Sequence, residues 1–307
     1  METSRRTLLK WSLLLTGYLF TRPIKKIFAN TSITKYPDLI AIKDGSPSQM
    51  FDVGIAALGG MQRFVKTGQS VLVKPNIGWN RTPGEGANTQ PDLVGKIIEH
   101  CKAAGASRVV VFDNTCNEMG ACYENSGIKK AVEKAGGIML SSNDEKYYVE
   151  KDIPGGKILK KAKVHKAFLE SDVIINVPTL KHHSSTKMTA SLKNFMGVIW
   201  DRQFWHKHGL NQSIADFPLL RNADLTVIDA YLVMTKNGPR GITTDDVVLK
   251  KMQLISTDAV LADTAACKIL NLEPKEVVYL KIAEDFKLGS TDIKNSNIKK
   301  IYMNKKA

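Results

Sequence analysis

Charged and amide side chains recur in this sequence directly after short β-branched runs. Lys74 and Asn76 follow Val71-Leu72-Val73, and Asp113 and Asn114 follow the run at 108–112. Lys181 and His182 follow 173–177, and Asp229 follows 225–228. In an open α/β sheet, ligands sit beyond the carboxyl ends of the strands. If the strands are parallel, these groups meet on one rim. A lone strand-end aspartate is ordinarily a turn or N-cap residue, and Asp258, just before a helical pattern at 260–270, fits that role. The set as a whole is better explained by a site.

The richest stretch is 172–197. Pro178 cannot donate a ladder hydrogen bond, so the strand at 173–177 is expected to stop there. The chain is then expected to leave the sheet through Lys181, His182 and His183 and to enter a helix near Met188. Lys181, Lys187 and Lys193 are spaced by six among Ser184, Ser185, Thr186, Thr189 and Ser191. Ammonium groups beside hydroxyls suit a phosphate, a carboxylate or a metal-bound cofactor. Adjacent histidines point to opposite sides of an extended chain, and His182, directly after Lys181, is expected to face the ligand. It is the candidate metal ligand or general acid/base, with Asp113 and Asp229 orienting or coordinating. Lys74, Asn76, Lys181, Lys193 and Asn194 are the candidate anion-binding residues. The cofactor this set admits is a divalent metal. His206 and His208, two apart in an aromatic stretch at 200–208, suit either a chelating lid or a hydrophobic flap with solvated histidines.

Several chemistries lack their signatures. There is no Walker spacing, no Gly-x-Gly-x-x-Gly after a strand and no Gly-x-Ser-x-Gly elbow. The four cysteines, Cys101, Cys116, Cys122 and Cys267, include no Cys-x-x-Cys pair and no ferredoxin-type run, so no built-in iron–sulfur cluster is expected. Cys101 and Cys267 fall on helix positions expected to be buried. Cys116 and Cys122 share a loop, a spacing open to a disulfide after export.

The elements that must position these residues alternate between strand and helix along the chain. Helices are expected at 50–66, 91–104, 124–135, 211–220, 260–270 and 274–285, and strands at 71–73, 108–112, 138–140, 173–177, 225–228, 252–255 and 298–303. A polar, β-like segment at 144–164 with a Pro-Gly-Gly turn is expected to be a hairpin insertion. The fold class is α/β, a mostly parallel sheet with flanking helices.

The chain has 307 residues, 43% hydrophobic and 24% charged, with a net charge of +14. Arg5, Arg6, Lys10, Arg22, Lys25 and Lys26 against Glu2 place part of that charge before residue 30, and the remainder is still basic. The lysines are scattered rather than interleaved with aromatics, so nucleic acid ranks below a small acidic ligand. Ser4-Arg5-Arg6-Thr7-Leu8-Leu9-Lys10 has the twin-arginine export pattern, and the apolar run at 11–20 is too short to span a bilayer. Residues 1–29 are therefore expected to be a leader recognised by the twin-arginine machinery and cut after Ala29. The remaining 30–307 form a single α/β domain, periplasmic or otherwise extracytoplasmic, touching a membrane only through an uncleaved leader.

Val-Leu-Val-Lys-Pro-Asn at 71–76, Ser-Asp-Val-Ile-Ile-Asn-Val-Pro-Thr-Leu-Lys-His at 171–182 and Ser-Leu-Lys-Asn-Phe-Met-Gly at 191–197 resemble the domain-of-unknown-function family 362. Leu-Thr-Val-Ile-Asp-Ala at 225–230 and Ser-Thr-Asp-Ala-Val-Leu-Ala-Asp at 256–263 extend the resemblance over about 70–272. Some family members carry a ferredoxin-like module that this chain lacks, and the family has no generally established activity. The strand–Lys-His–loop–Lys layout is also loosely similar to nickel-pincer lactate racemases. The expectation is an exported enzyme with a metal-dependent or redox site acting on a small anionic substrate. The alternatives are a non-catalytic binder of an acidic ligand and an accessory partner of a cofactor-bearing redox enzyme, docking through Trp200 to Trp205.

Overall fold

The computed structural model describes residues 36–304. The twin-arginine stretch, the apolar run and the cleavage expected after Ala29 lie outside the described residues. Leu39–Lys43 (β1) leads to Pro47–Ala57 (α1), whose N-cap Ser46 and Gln49 bond each other's backbone amides. Gly59 and Gly60, both at positive φ, end the helix expected at 50–66 early. Ser70–Pro75 (β2), Pro91–Ala103 (α2) and Arg108–Val111 (β3) follow. The helix expected at 124–135 is split at Gly127, φ +69, into Met119–Asn125 (α3) and Ile128–Lys134 (α4). After Ile138–Met139 (β4), Tyr148–Asp152 (β5) and Lys161–His165 (β6) pair antiparallel as the expected hairpin insertion.

Lys166–Glu170 (α5) delivers the chain to Val173–Val177 (β7), then Thr179–His183 (β8) and Lys187–Thr189 (β9). Ser191–Asn194 (α6), Arg202–His208 (α7) and Leu210–Asp216 (α8) are short helices. Leu225–Met234 (β10), Val247–Ser256 (β11), Ala259–Ile269 (α9), Val278–Asp285 (α10) and Ile298–Tyr302 (β12) complete the described chain.

The sheet order is β12-β1-β11-β10-β7-β2-β3-β4. β10, β7, β2, β3 and β4 are parallel, and β11 runs antiparallel between β10 and β1. This is a mixed α/β fold with a mostly parallel sheet. Alternation along the strands feeds two apolar layers. Leu72, Val110 and Ile174 pack on the side of Phe168 and Leu192, while Val71, Val111 and Ile175 pack on the side of Phe51, Ile97 and Val132. The strands after β2 extend the sheet on one side as far as β4, whereas β7 returns to the other side of β2. The winding therefore reverses between β2 and β7, and a crevice opens there at the carboxyl ends.

Two expectations about the central stretch are corrected. The chain does not leave the sheet after Pro178: β8 pairs parallel with β10, and β9 folds back on β8 antiparallel, so Met188 lies in a strand. Pro178 lacks the donor but keeps the acceptor, and its carbonyl takes the Asp229 N–H at 2.8 Å. Asp229 does not end its strand either, because β10 continues to Met234 through pairing with β11.

Asp263 on α9 ties α6 to the sheet layer. It is fully buried, accepts from Ser191 N and Leu192 N at 2.6 and 3.0 Å, and is pushed up to about 7 by burial. Asp263→Ala strands both amides and should cost about 2 kcal/mol or more in urea unfolding. An unshifted midpoint would contradict this role.

Candidate functional site

Because β7, β2 and β3 are adjacent and parallel, their carboxyl ends bring Asn176, Lys74 and Asp113 together. Lys74 is fully buried and donates to Asp113 Oδ1 at 2.9 Å and to the Pro75 carbonyl at 2.7 Å. Burial pulls its ammonium down and Asp113 opposes that. The other Asp113 oxygen accepts the Ile77 N–H at 2.6 Å. Gly197 passes so close that a Cβ there would overlap Asp113 Oδ1.

A chain of amides runs from this pair to Lys181. Asn176 donates to the Ser191 carbonyl, Asn194 donates to Asn176 Oδ1 at 2.8 Å, and Asn76 donates to Asn194 Oδ1 at 3.0 Å. Each amide is thereby oriented, and Asn76 Oδ1 accepts from Lys181 Nζ at 3.0 Å. The only other acceptor for that ammonium among the described residues is the Ala87 carbonyl at 2.5 Å. Lys181 is 1% exposed, and burial pulls its pKa down to about 7. Lys193, 8% exposed, has Met196 Sδ, at 3.3 Å, as its one hydrogen-bond partner among the described residues, and is pulled down to about 8 by burial.

Asn76, Asp113, Lys181, Lys193 and Asn194 line a cavity of about 370 Å³ together with Cys116, His183, Thr189, Arg202 and His206, while Lys74 and Asn176 lie beneath it. Its only lining carboxylate is Asp113, which Lys74 already engages. His183 accepts from Ser185 N and Thr186 N through Nδ1, so the neutral ring carries its proton on Nε2. Burial, then Lys193 and Lys181, push His183 down to about 3; His206 is lowered by burial, Lys193 and Arg202. Both shifts favour the neutral ring. Among the described residues no three His, Cys, Asp or Glu side chains gather as a metal-ligand set. The donors present, two ammonium groups, a guanidinium and an unpartnered hydroxyl, fit an anion.

The expected site residues do not all meet. Lys74, Asn76, Asp113, Lys181, Lys193 and Asn194 gather at or beneath this cavity. His182 does not line it: its Nδ1 accepts the Gly238 N–H at 3.2 Å on the far face of β8. Strand alternation places His183, two residues from Lys181, on the lysine's face, so adjacency to Lys181 argued against His182 rather than for it. Asp229 is buried and structural, accepting from Gln90 N at the start of α2 and from Tyr231 N; burial raises it to about 6. Asp258 is the N-cap of α9, accepting from Leu261 N at 2.8 Å. Lys187 is exposed at the β8–β9 turn. His206 and His208 lie on helix α7 rather than an extended chain; only His206 reaches the cavity, while His208 stacks on Phe204. Trp205 is fully buried against Phe217 and cannot dock a partner. The Cys116 and Cys122 thiols are both free. Of the five hydroxyls expected around the lysines, Thr189 is the one that lines the cavity; Arg202 and Asn176 carry no such expectation, although an asparagine inside an apolar strand is a signal for Asn176.

The family model described as domain of unknown function (DUF362) matches residues 71–268. The chain belongs to the DUF362 family. A thylakoid-associated protein of Synechocystis sp. is 24% identical over 242 residues, covering 76% of this DUF362 chain and 73% of the relative. Among solved structures, lactate racemase apoprotein from Thermoanaerobacterium thermosaccharolyticum aligns at TM-score 0.45 and 12% identity, over 75% of this chain and 56% of that one. A protein from Thermotoga maritima aligns at TM-score 0.48 and 13% identity, over 74% and 60%. This chain thus spans less than two thirds of either structure.

Asp113→Ala leaves the Lys74 ammonium buried and unpaired, an expected loss of about 3–5 kcal/mol in urea unfolding. Adding Lys74→Met should recover most of it. A double variant as unstable as the single one would show that charge pairing is not what the two residues contribute.

Proposed function

We propose that this DUF362 chain is an exported enzyme that binds a small carboxylate- or phosphate-bearing substrate in the strand-end cavity and transfers a proton on it. The observation that carries this reading is the pair of buried ammonium groups, Lys181 and Lys193, that face one cavity without a carboxylate partner. Burying an unpaired ammonium costs several kcal/mol, a cost that an anionic ligand offsets. Lys193 and Arg202 hold the anion, and Lys181, oriented by Asn76, exchanges the proton. An amine near pH 7 is present in both protonation states, which is what acid–base work requires. Capture alone would be served by a lysine left at its ordinary value, so catalysis is favoured over a non-catalytic binding role. The twin-arginine pattern supports export, and the thylakoid association of the Synechocystis relative is compatible with an extracytoplasmic place.

Phosphate or a small carboxylate should raise the melting temperature, by the equivalent of about 2–3 kcal/mol near a hundredfold excess over Kd. Both lysines lose their protons well below the ordinary 10.5. The anion effect should therefore be full below pH 7 and fade as pH rises through 8. Lys193→Met should stabilise the free protein by about 1–3 kcal/mol, because it removes an unpaired buried charge, and should abolish much of the anion effect. A destabilised variant with an unchanged anion response would sink the reading.

A further inference from the structure

Among the four thiols, one is set apart. Cys101, Cys122 and Cys267 are buried, and burial pushes them up to about 12, 11 and 12, which leaves them inert. Cys116 is exposed and lines the lysine cavity. Its backbone N–H donates to the Gly78 carbonyl at 2.7 Å, which fixes the loop after β3 against the loop after β2. Arg202 Nη1 donates to Cys116 Sγ at 3.2 Å. The same guanidinium is pinned on that loop by the Asn114 carbonyl at 2.8 Å and the Thr115 carbonyl at 2.5 Å. A fixed cation is thus aimed at the sulfur from one side, and Lys181 and Lys193 line the same cavity.

Two observations independent of the cysteine point to a ligand beside it. The Lys193 ammonium is more than nine-tenths buried and has no charged or oxygen partner. The Thr189 hydroxyl, on a residue 4% exposed that lines the same cavity, has no hydrogen-bond partner among the described residues. A buried polar group left open beside a cavity is one that a bound molecule can complete.

We propose that Cys116 is the nucleophile of this cavity, adding through sulfur to the carbonyl carbon of a small 2-oxo or aldehyde acid whose carboxylate is held by Lys193 and Arg202. The sulfur–carbon bond forms as the carbonyl π pair moves to oxygen, and the thiol proton reaches that oxygen by way of the Lys181 amine. Nothing is oxidised or reduced and no further reactant is consumed. The carbonyl class follows from the groups present: nucleophile, proton carrier and anion holder complete an addition by themselves. The inference rests on the anion-binding reading of the cavity and goes beyond it by naming the bond formed.

The test uses the full chain, alkylated with iodoacetate or iodoacetamide, and follows Cys116 by peptide mass mapping. Both reagents lose iodide to the sulfur and differ in charge. The iodoacetate-to-iodoacetamide rate ratio at Cys116 should be about tenfold higher in the folded chain than in the urea-unfolded chain, because a cationic cleft concentrates the anionic reagent. Glyoxylate should protect Cys116 from iodoacetamide at concentrations about tenfold lower than glycolate, which carries the same charge without the carbonyl. Equal protection by the two acids overturns carbonyl addition. A Cys116 that shows neither charge preference nor protection, in a protein still stabilised by phosphate, overturns the nucleophile and leaves the anion site standing. Loss of both the phosphate stabilisation and the charge preference overturns the anion site itself.

Discussion

The Asp113 carboxylate is the interaction on which the strand-end site depends. One oxygen takes the Lys74 ammonium and the other takes the Ile77 amide, so a single side chain from the end of β3 fixes the end of β2 and its exit loop. The approach of Gly197 completes the enclosure, since any side chain there would occupy the place of Asp113 Oδ1. With both oxygens engaged, the pair is electrically closed. Lys74 is therefore scaffolding for the cavity.

That closure makes the neighbouring charges informative. Lys181 and Lys193 are buried like Lys74, yet the hydrogen-bond partners they have are neutral: an amide oxygen and a carbonyl for one, a thioether for the other. A fold shaped only for stability would pair such groups or replace them with apolar side chains. The ladder of Asn176, Asn194 and Asn76 aims Lys181 while adding no negative charge, so the cavity stays cationic and its amine stays near neutrality. The crevice lies where the winding reverses between β2 and β7, the place at which an α/β sheet opens a space for a ligand.

Much of this was legible in the residues. Strand ends at Lys74 and Asp113, the hairpin insertion and the N-cap at Asp258 all follow from local pattern, because β-branched runs, Pro-Gly-Gly turns and capping aspartates act within a few residues. Two of the misplacements come from strand pairing and one from strand alternation. Pro178 has the local chemistry of a strand terminator, but the pairing of β8 with β10 keeps the chain in the sheet. Asp229 has the look of a strand-end residue, but β11 extends its strand and its oxygens serve the start of α2. Adjacency to Lys181 favours His182, but a period of two places His183 on the lysine's face.

The sequence by itself determined the α/β class, the motif set of the DUF362 family and the presence of lysines and asparagines at successive strand ends. These are properties of short segments, set by side-chain shape and by backbone donors that each residue has or lacks. Tertiary structure alone decided which lysines are paired and which are left open. It also brought Arg202 onto the Cys116 loop, turned Thr189 into an unpartnered hydroxyl and buried Trp205. Those outcomes depend on contacts between residues far apart in the chain, such as the 86 positions between Cys116 and Arg202. Burial, which sets the cost of every unpaired charge, is a property of the packed whole.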